Sequence, residues 1–214
     1  IAVDGRLDDQ AWAAAAWTDL FVDIEAVRQE KPRFRTRAKM LWYSQYFYIG
    51  DDMEEPHLWA TLTERDAVIY HDNDFEVFID PDGDTHEYYE LEINPGGVVC
   101  DLEMISPSPW EGDFAWDLEG LETRVHTRAD GAGSTTGWTA IAFLPWSGFR
   151  SLPSARTVAL PPSPGDAWRF NVFRVKRPGG AAGVKASGLP RLRGRRRAAT
   201  SNDRWPSRAE RHNL

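Results

Sequence analysis

Cysteine is almost missing from this chain. Cys100 is the only one in 214 residues, which excludes an internal disulfide framework and any cysteine-based zinc site. Long apolar runs are missing too, and the longest, Ala11 to Trp17, is far too short to span a bilayer. No charged-then-apolar leader precedes Ile1, so a secretion signal is expected to be absent or already removed. There is no Gly-x-Ser-x-Gly elbow and no phosphate loop. The five histidines, His57, His71, His86, His126 and His212, show no His-x-x-x-His metal spacing. No repeat at a fixed period is visible. Positive charge is scarce over residues 1–175, with 14 Lys+Arg against 31 Asp+Glu. That balance argues against nucleic acid as a partner.

What the chain has in quantity is aromatic surface. It is 42% hydrophobic and 12% aromatic, with ten tryptophans. That is enough apolar material for a substantial core, with tryptophans left over for a surface. Charge divides the chain: residues 176–214 carry 11 basic against 2 acidic side chains. This segment holds Gly, Ala, Pro and Arg with few core residues, and its composition predicts a poorly ordered basic tail. A nucleic-acid arm and a shifted reading frame after Val175 are the other readings of it. The expected organisation is therefore one domain over 1–175 and a tail over 176–214.

The acidic part reads as strands. Arg37 to Trp42 and Tyr46 to Gly50 flank a hairpin signature at Tyr43-Ser44-Gln45. In Phe75 to Asp80, positions 75, 77 and 79 are apolar and face one way, while Glu76, Phe78 and Asp80 face the other. Tyr88 to Asn94 alternates likewise, with Tyr89, Leu91 and Ile93 opposite Glu90, Glu92 and Asn94. Val98 to Ile105, Gly137 to Pro145 and Ala167 to Val175 supply further strands. Pro81 to Asp84 and Asn94 to Gly97 carry turn chemistry. Asp8 to Trp17 predicts the one short helix, with Asp8 or Asp9 as its cap. Many short strands, regular turns and scarcely any helix predict an all-β sandwich or barrel.

Six ordered blocks resemble a known family. Val3-Asp4-Gly5-Arg6-Leu7-Asp8-Asp9-Gln10-Ala11-Trp12 is similar to the opening of the family 9 carbohydrate-binding modules and their DOMON-like relatives. The resemblance continues through Leu41-Trp42 to Ile49, Asp72 to Pro81, Tyr88 to Asn94, Gly137 to Trp146 and Trp168 to Arg174. It implies an immunoglobulin-like antiparallel β-sandwich of the kind found in bacterial plant-polysaccharide-degrading systems.

Sugar recognition needs a flat aromatic face for the apolar side of a pyranose and fixed polar groups for its hydroxyls. The resemblance places an aromatic, Tyr70, where the family has its first sugar-stacking tryptophan, six residues before Glu76. Glu76 matches a hydroxyl-binding glutamate, and Asn94 also matches. Glu92 falls where the family has an arginine, a departure that changes the hydrogen-bonding code. Trp205, the only aromatic of the tail, is the candidate for the second stacking tryptophan. Trp110 and Trp116, in the loop-like Pro107 to Gly120, are further candidates, because loops carry binding more often than frameworks do. Trp12, Trp42, Trp138, Trp146 and Trp168 sit in framework motifs and are expected in the core.

Asp80, Asp82 and Asp84 alternate around a glycine turn, a spacing that suits calcium, and the resemblance implies structural calcium. Plain readings stand beside these: Tyr70 as an aromatic covering core, Glu76 as a partner of Arg169 or Arg65, the three aspartates as an acidic turn. Two other functions are open. His86 or His126 with Met104 could ligate haem, and Glu76, Glu90 or Glu92 could serve a glycoside hydrolase. The reading carried forward is non-catalytic binding of a plant-type polysaccharide or its oligosaccharides, supporting carbohydrate catabolism. The setting expected is extracellular or periplasmic, with a glycoside hydrolase as possible associate, no nucleic acid and no membrane span.

Overall fold

The computed structural model describes residues 1–24, 31–107, 109–180, 183 and 185–189. In chain order the elements are α1 (Gln10–Ala14), β1 (Val22–Asp23), β2 (Thr36–Trp42), β3 (Tyr46–Glu54) and β4 (Asp74–Asp80). There follow β5 (Tyr88–Ile93), β6 (Val99–Pro107), β7 (Trp110–Asp113), β8 (Glu122–Ala129), β9 (Thr135–Pro145), β10 (Arg169–Lys176) and β11 (Lys185–Gly188). Two antiparallel sheets form, a seven-stranded one ordered β1-β11-β10-β4-β5-β6-β7 and a four-stranded one ordered β2-β3-β9-β8. The expected all-β sandwich is what is found. Among the described residues, no helix is long and apolar enough to cross a membrane.

Alternation builds the core between the sheets. Phe75, Val77 and Ile79 of β4 and Tyr89, Leu91 and Ile93 of β5 meet Phe47, Ile49 and Met53 of β3 and Trp138, Ala140, Ala142 and Leu144 of β9. The opposite side of the seven-stranded sheet buries a second cluster. Phe78, Tyr88, Cys100, Leu102, Met104 and Phe173 pack there with Ile69 of the 3-10 turn Ile69–His71. A third cluster, Trp12 with Ile141 and Phe143, lies outside the four-stranded sheet and seats α1. Gly5 closes this N-terminal segment. Its φ of 81° and the backbone nitrogen of His126, which a Cβ would approach to 2.8 Å, leave no room for a side chain.

Several expectations change here. The helix is five residues long rather than ten, since Ala15 is already extended and Trp17 bridges to Lys39 of β2. Asp9 precedes the helix without capping it; its carboxylate instead accepts a hydrogen bond from the Ala2 amide at 2.6 Å. Part of the segment expected to be loop, Trp110 to Asp113, is edge strand β7. The domain boundary set at 175 falls inside β10. Beyond it, Lys185–Gly188 pair antiparallel with β10 and with β1. Residues 190–214 lie outside the described residues.

Candidate functional site

Four of the seven sequence-predicted sugar ligands, Tyr70, Glu76, Glu92 and Trp110, lie toward the side of the seven-stranded sheet away from the core. Antiparallel register sets them in rows. Phe173, Glu76, Glu92 and Cys100 form one row across β10, β4, β5 and β6, and Asn171, Phe78, Glu90 and Leu102 form the next. Glu76 and Glu92 are thus direct cross-strand neighbours, each about as buried as core, at 5% exposure. The 3-10 turn that carries Tyr70 lies over this face through Ile69. Tyr70 is half-buried beside the His71 ring, 4.8 Å away, and its backbone carbonyl accepts a hydrogen bond from Arg177. Trp110, half-buried on β7, packs on the same cluster and lies 5.8 Å from Phe114. Tyr70, Glu76, Glu92 and Trp110 therefore share one face.

Asn94 and Trp116 are used differently. The Asn94 amide nitrogen donates to Asp72 at 3.0 Å and to the Leu62 carbonyl at 3.1 Å. Its oxygen accepts from the Val98 amide at 2.9 Å. Asp72 in turn accepts from the Thr61 and Leu62 amides and the Thr61 hydroxyl. Asn94 thereby fixes the Asn94–Val98 turn against the 61–72 segment, and both of its amide donors are taken. Trp116 packs on the inter-sheet core, 5.0 Å from Tyr89, so it lies on the side of the sheet opposite Glu76. Trp205 lies outside the described residues.

One polar group on the acidic face has no counterpart among the sequence candidates. Asn171 is 1% exposed and faces outward next to Phe78. Its side-chain oxygen accepts from the Val172 amide at 3.0 Å, and its buried amide nitrogen has no partner among the described residues. A signal exists in the sequence: Asn171 interrupts the run from Phe170 to Phe173 at an outward position, where an apolar residue would cost nothing.

Carboxyl oxygens of Asp80, Asp82 and Asp84 come within 4.8 Å of one another in the loop after β4. Asp80 is buried and accepts hydrogen bonds from the Gly83 and Thr85 amides, each at 2.8 Å. Burial, reinforced by the charges of Asp82 and Asp84, pushes its carboxyl up to about 6. An all-oxygen, carboxylate-rich donor set that repels itself fits a hard divalent cation. The other acidic trio, Asp66, Asp101 and Asp117, already holds a cation. Arg65 lies between them, bonded to Asp101 and, at 2.6 Å, to Asp117. Arg65 is therefore committed elsewhere and is no partner of Glu76.

The haem pairing of His126 with Met104 fails on placement. Met104 is buried on the outer side of the seven-stranded sheet. His126, on β8, sits opposite Thr139 on the far side of the other sheet, where Thr139 contacts Gly5. His86 lies in the exposed loop beside Asp84, its side chain 61% exposed. Burial, with Glu92 and Glu90 nearby, pushes the Cys100 thiol far up and leaves it unreactive.

Nothing matches among curated protein sequences. Solved structures do match. A family 9 carbohydrate-binding module from Caldicellulosiruptor kristjanssonii in complex with cellotriose aligns at 14% identity and a TM-score of 0.59, covering 89% of this chain and 80% of that one. The glucose complex of a family 9 module from the same organism aligns at 15% identity and a TM-score of 0.59, covering 89% and 82%. A putative carbohydrate-binding protein from Bacteroides uniformis aligns at 12% identity and a TM-score of 0.60, covering 83% and 79%. At such identities these likenesses show the fold. The family profile described as carbohydrate family 9 binding domain-like matches residues 3–151, more than half of the chain, and the chain belongs to that family.

Proposed function

We propose that this domain binds a neutral saccharide without cleaving it, through the acidic face of the seven-stranded sheet. The observation that carries the reading is the meeting of Glu76, Glu92 and the unpartnered Asn171 amide on one face, with the Tyr70 turn over it, in a chain of this family. Carboxylates accept from sugar hydroxyls, the amide donates to one, and an aromatic covers the C–H face. Cellotriose and glucose, the ligands of the similar modules, are the first saccharides to try. Glu76 and Glu92 project from one floor, side by side. A glycosidase needs its two carboxyl groups on opposite sides of the scissile bond, so the pair suits holding rather than hydrolysis. Such a domain concentrates plant-type polysaccharide near a degradative enzyme, a glycoside hydrolase, by raising effective concentration. That role belongs to carbohydrate catabolism in the bacterial periplasm, at the cell surface or outside the cell.

Calcium bound by Asp80, Asp82 and Asp84 would stiffen the loop that joins β4 to β5, the two strands bearing the glutamates. Isothermal titration with cellotriose is the test of the sugar site. The expected dissociation constant is of order millimolar, weakened at least about tenfold by Glu76→Ala and by Tyr70→Ala, with both variants still folding cooperatively. Equal affinity in all three proteins would place the site elsewhere. For the metal, millimolar calcium is expected to raise Tm by mass action and Asp82→Asn to blunt the rise; an unchanged Tm would leave a plain acidic turn.

A further inference from the structure

At one end of the sandwich the inward face of β10 changes character. Phe170 and Val172 belong to the core, and the next two inward positions are Arg174 and Lys176. Arg174 is buried and donates to the Glu55 carboxylate at 2.7 Å, to the Glu54 carbonyl at 2.8 Å and to the Thr36 hydroxyl at 2.8 Å. Lys176 donates to both oxygens of the same Glu55, 2.6 Å from one of them. Glu55 is itself fully buried, so one carboxylate serves two cations. Beside them opens a pocket of about 310 Å³ lined by Asp23, Lys31, Arg33, Phe34, Arg174, Lys176 and Lys185 among others. The ring of Phe34 stands under two of the charges, with the Lys176 ammonium 4.2 Å and the Arg33 guanidinium 5.2 Å from its centroid.

The charges do not balance. Five cations line the pocket, Lys31, Arg33, Arg174, Lys176 and Lys185. Among the described residues two carboxylates answer them, Asp23 in the wall and Glu55 behind it. The described residues thus give the pocket an excess of three positive charges, in a chain whose sequence up to residue 175 is otherwise strongly acidic. Among the described residues Lys31, Arg33 and Lys185 form no salt bridge. Burial holds the Lys176 ammonium below the ordinary lysine range, and the charges of Arg174 and Arg33 add to this against the pull of Glu55. Like charges held this close to one partly buried cavity repel, and a bound anion would relieve them more strongly than it could in open water.

We propose that this pocket, between β10, β11 and the residues leading into β2, is an oxyanion-binding site that takes a carboxylate or sulfate group. Arg174 and Lys176 form its floor, and Lys31, Arg33 and Lys185 form its rim. Its volume is at the small end of ligand pockets, enough for an inorganic oxyanion or one acidic sugar ring. It is separate from the face bearing Glu76: Arg174 and Lys176 point inward from β10, whereas Asn171 and Phe173 point outward. It therefore stands or falls independently of the neutral-sugar reading.

Titration calorimetry of the full chain with sodium sulfate, sodium glucuronate and glucose tests it. Saturable binding of at least one anion is expected below about 20 mM, weakening as ionic strength rises. The exposed rim permits a variant that should still fold: Arg33→Ala with Lys185→Ala is expected to weaken the anion at least about tenfold while leaving Tm and any glucose affinity unchanged. Glucuronate binding tighter than sulfate would identify an acidic saccharide as the source; sulfate binding equally or more tightly would identify a free inorganic oxyanion. No saturable binding of either anion overturns the proposal. So does equal anion affinity in parent and double variant, which would move the binding to the arginine-rich segment from Arg191 to Arg197.

Discussion

The two faces of the seven-stranded sheet are both buried, yet they are made of different chemistry. On the inner face β4 and β5 present Phe75, Val77, Ile79, Tyr89, Leu91 and Ile93; on the outer face the same strands present Asp74, Glu76, Phe78, Asp80, Tyr88, Glu90 and Glu92. Every residue of β4 and β5 is buried. Alternation of apolar and acidic residues ordinarily marks a strand with one face in water. Here the acidic face is covered as well, and carboxylates out of water must be matched by partners or retained for function. The inner face contributes stability, and the outer face costs some of it.

The sharpest break in the comparison comes from the inner face. Phe75 is 1% exposed within the inter-sheet cluster. Phe75→Ala is expected to lower the unfolding free energy by about 3–5 kcal/mol, read by urea denaturation. A loss under about 1 kcal/mol would mean that this face is not the main core.

Two aromatics separate the faces next. Trp116 packs against Tyr89 in the core, whereas Tyr70 belongs to the turn above the glutamates. Trp116→Ala should cost about 2–3 kcal/mol of stability and leave cellotriose affinity unchanged. Tyr70→Ala should do the reverse, with Tm nearly constant and affinity down about tenfold. Both readouts moving together in either variant would erase the distinction between faces.

Much of this is legible in the sequence, and the reasons for the rest are physical. Period-two alternation in 75–80 and 88–94 sets the facing of every side chain on β4 and β5, because register follows from alternation once one face is buried. Trp42 and Trp116 reverse their expected places. Trp42 continues the inward row of Ala38 and Met40, but it is the last residue of β2 and overhangs the mouth of the sandwich, 55% exposed. Trp116, in a stretch that reads as loop, folds back onto the core. Neither position has a local signature. Strand β11 is hidden within the basic segment, since Lys185-Ala186-Ser187-Gly188 has no apolar period. Its small residues are required all the same: a Cβ on Gly188 would collide with the Phe173 ring. The cationic pocket joins Lys31 to Lys185, a separation that only topology closes.

A carboxyl on the inner side of β3 breaks the rule. Asp51 of β3 is fully buried; one oxygen accepts from the Ala140 amide at 3.1 Å and the other has no partner among the described residues. Burial raises its carboxyl well above the ordinary aspartate value, more than the Ala140 hydrogen bond lowers it. A folded-state value above the unfolded one means that the native state binds the extra proton. Its contribution is then intact below about pH 4 and is lost as pH rises from there through the folded-state value. Asp51→Asn keeps the acceptor and removes the titration. The variant is expected to melt a few degrees higher than the parent at pH 7, with the gap closing toward pH 4. A gap that widens in acid would show that the native state holds Asp51 ionised.

The smallest effect expected is also the one that bears most directly on why the outer face is acidic. Glu76 and Glu92 stand directly opposite each other across β4 and β5, both buried. Like charges in that relation destabilise a sheet by a few tenths to about 1 kcal/mol. Glu76→Gln keeps the shape and one acceptor oxygen while removing one of the two charges. Stability should therefore rise, by at most about 1 kcal/mol. Sugar affinity should fall, because a hydroxyl donates more strongly to a carboxylate than to an amide; about three- to tenfold is the expected loss. A gain in stability accompanied by a loss in binding is what a functional face, as opposed to a structural one, predicts. If Glu76→Gln instead lowers Tm and leaves cellotriose affinity intact, the Glu76 charge is balanced within the fold. The acidic face would then be a second core rather than a ligand-binding one.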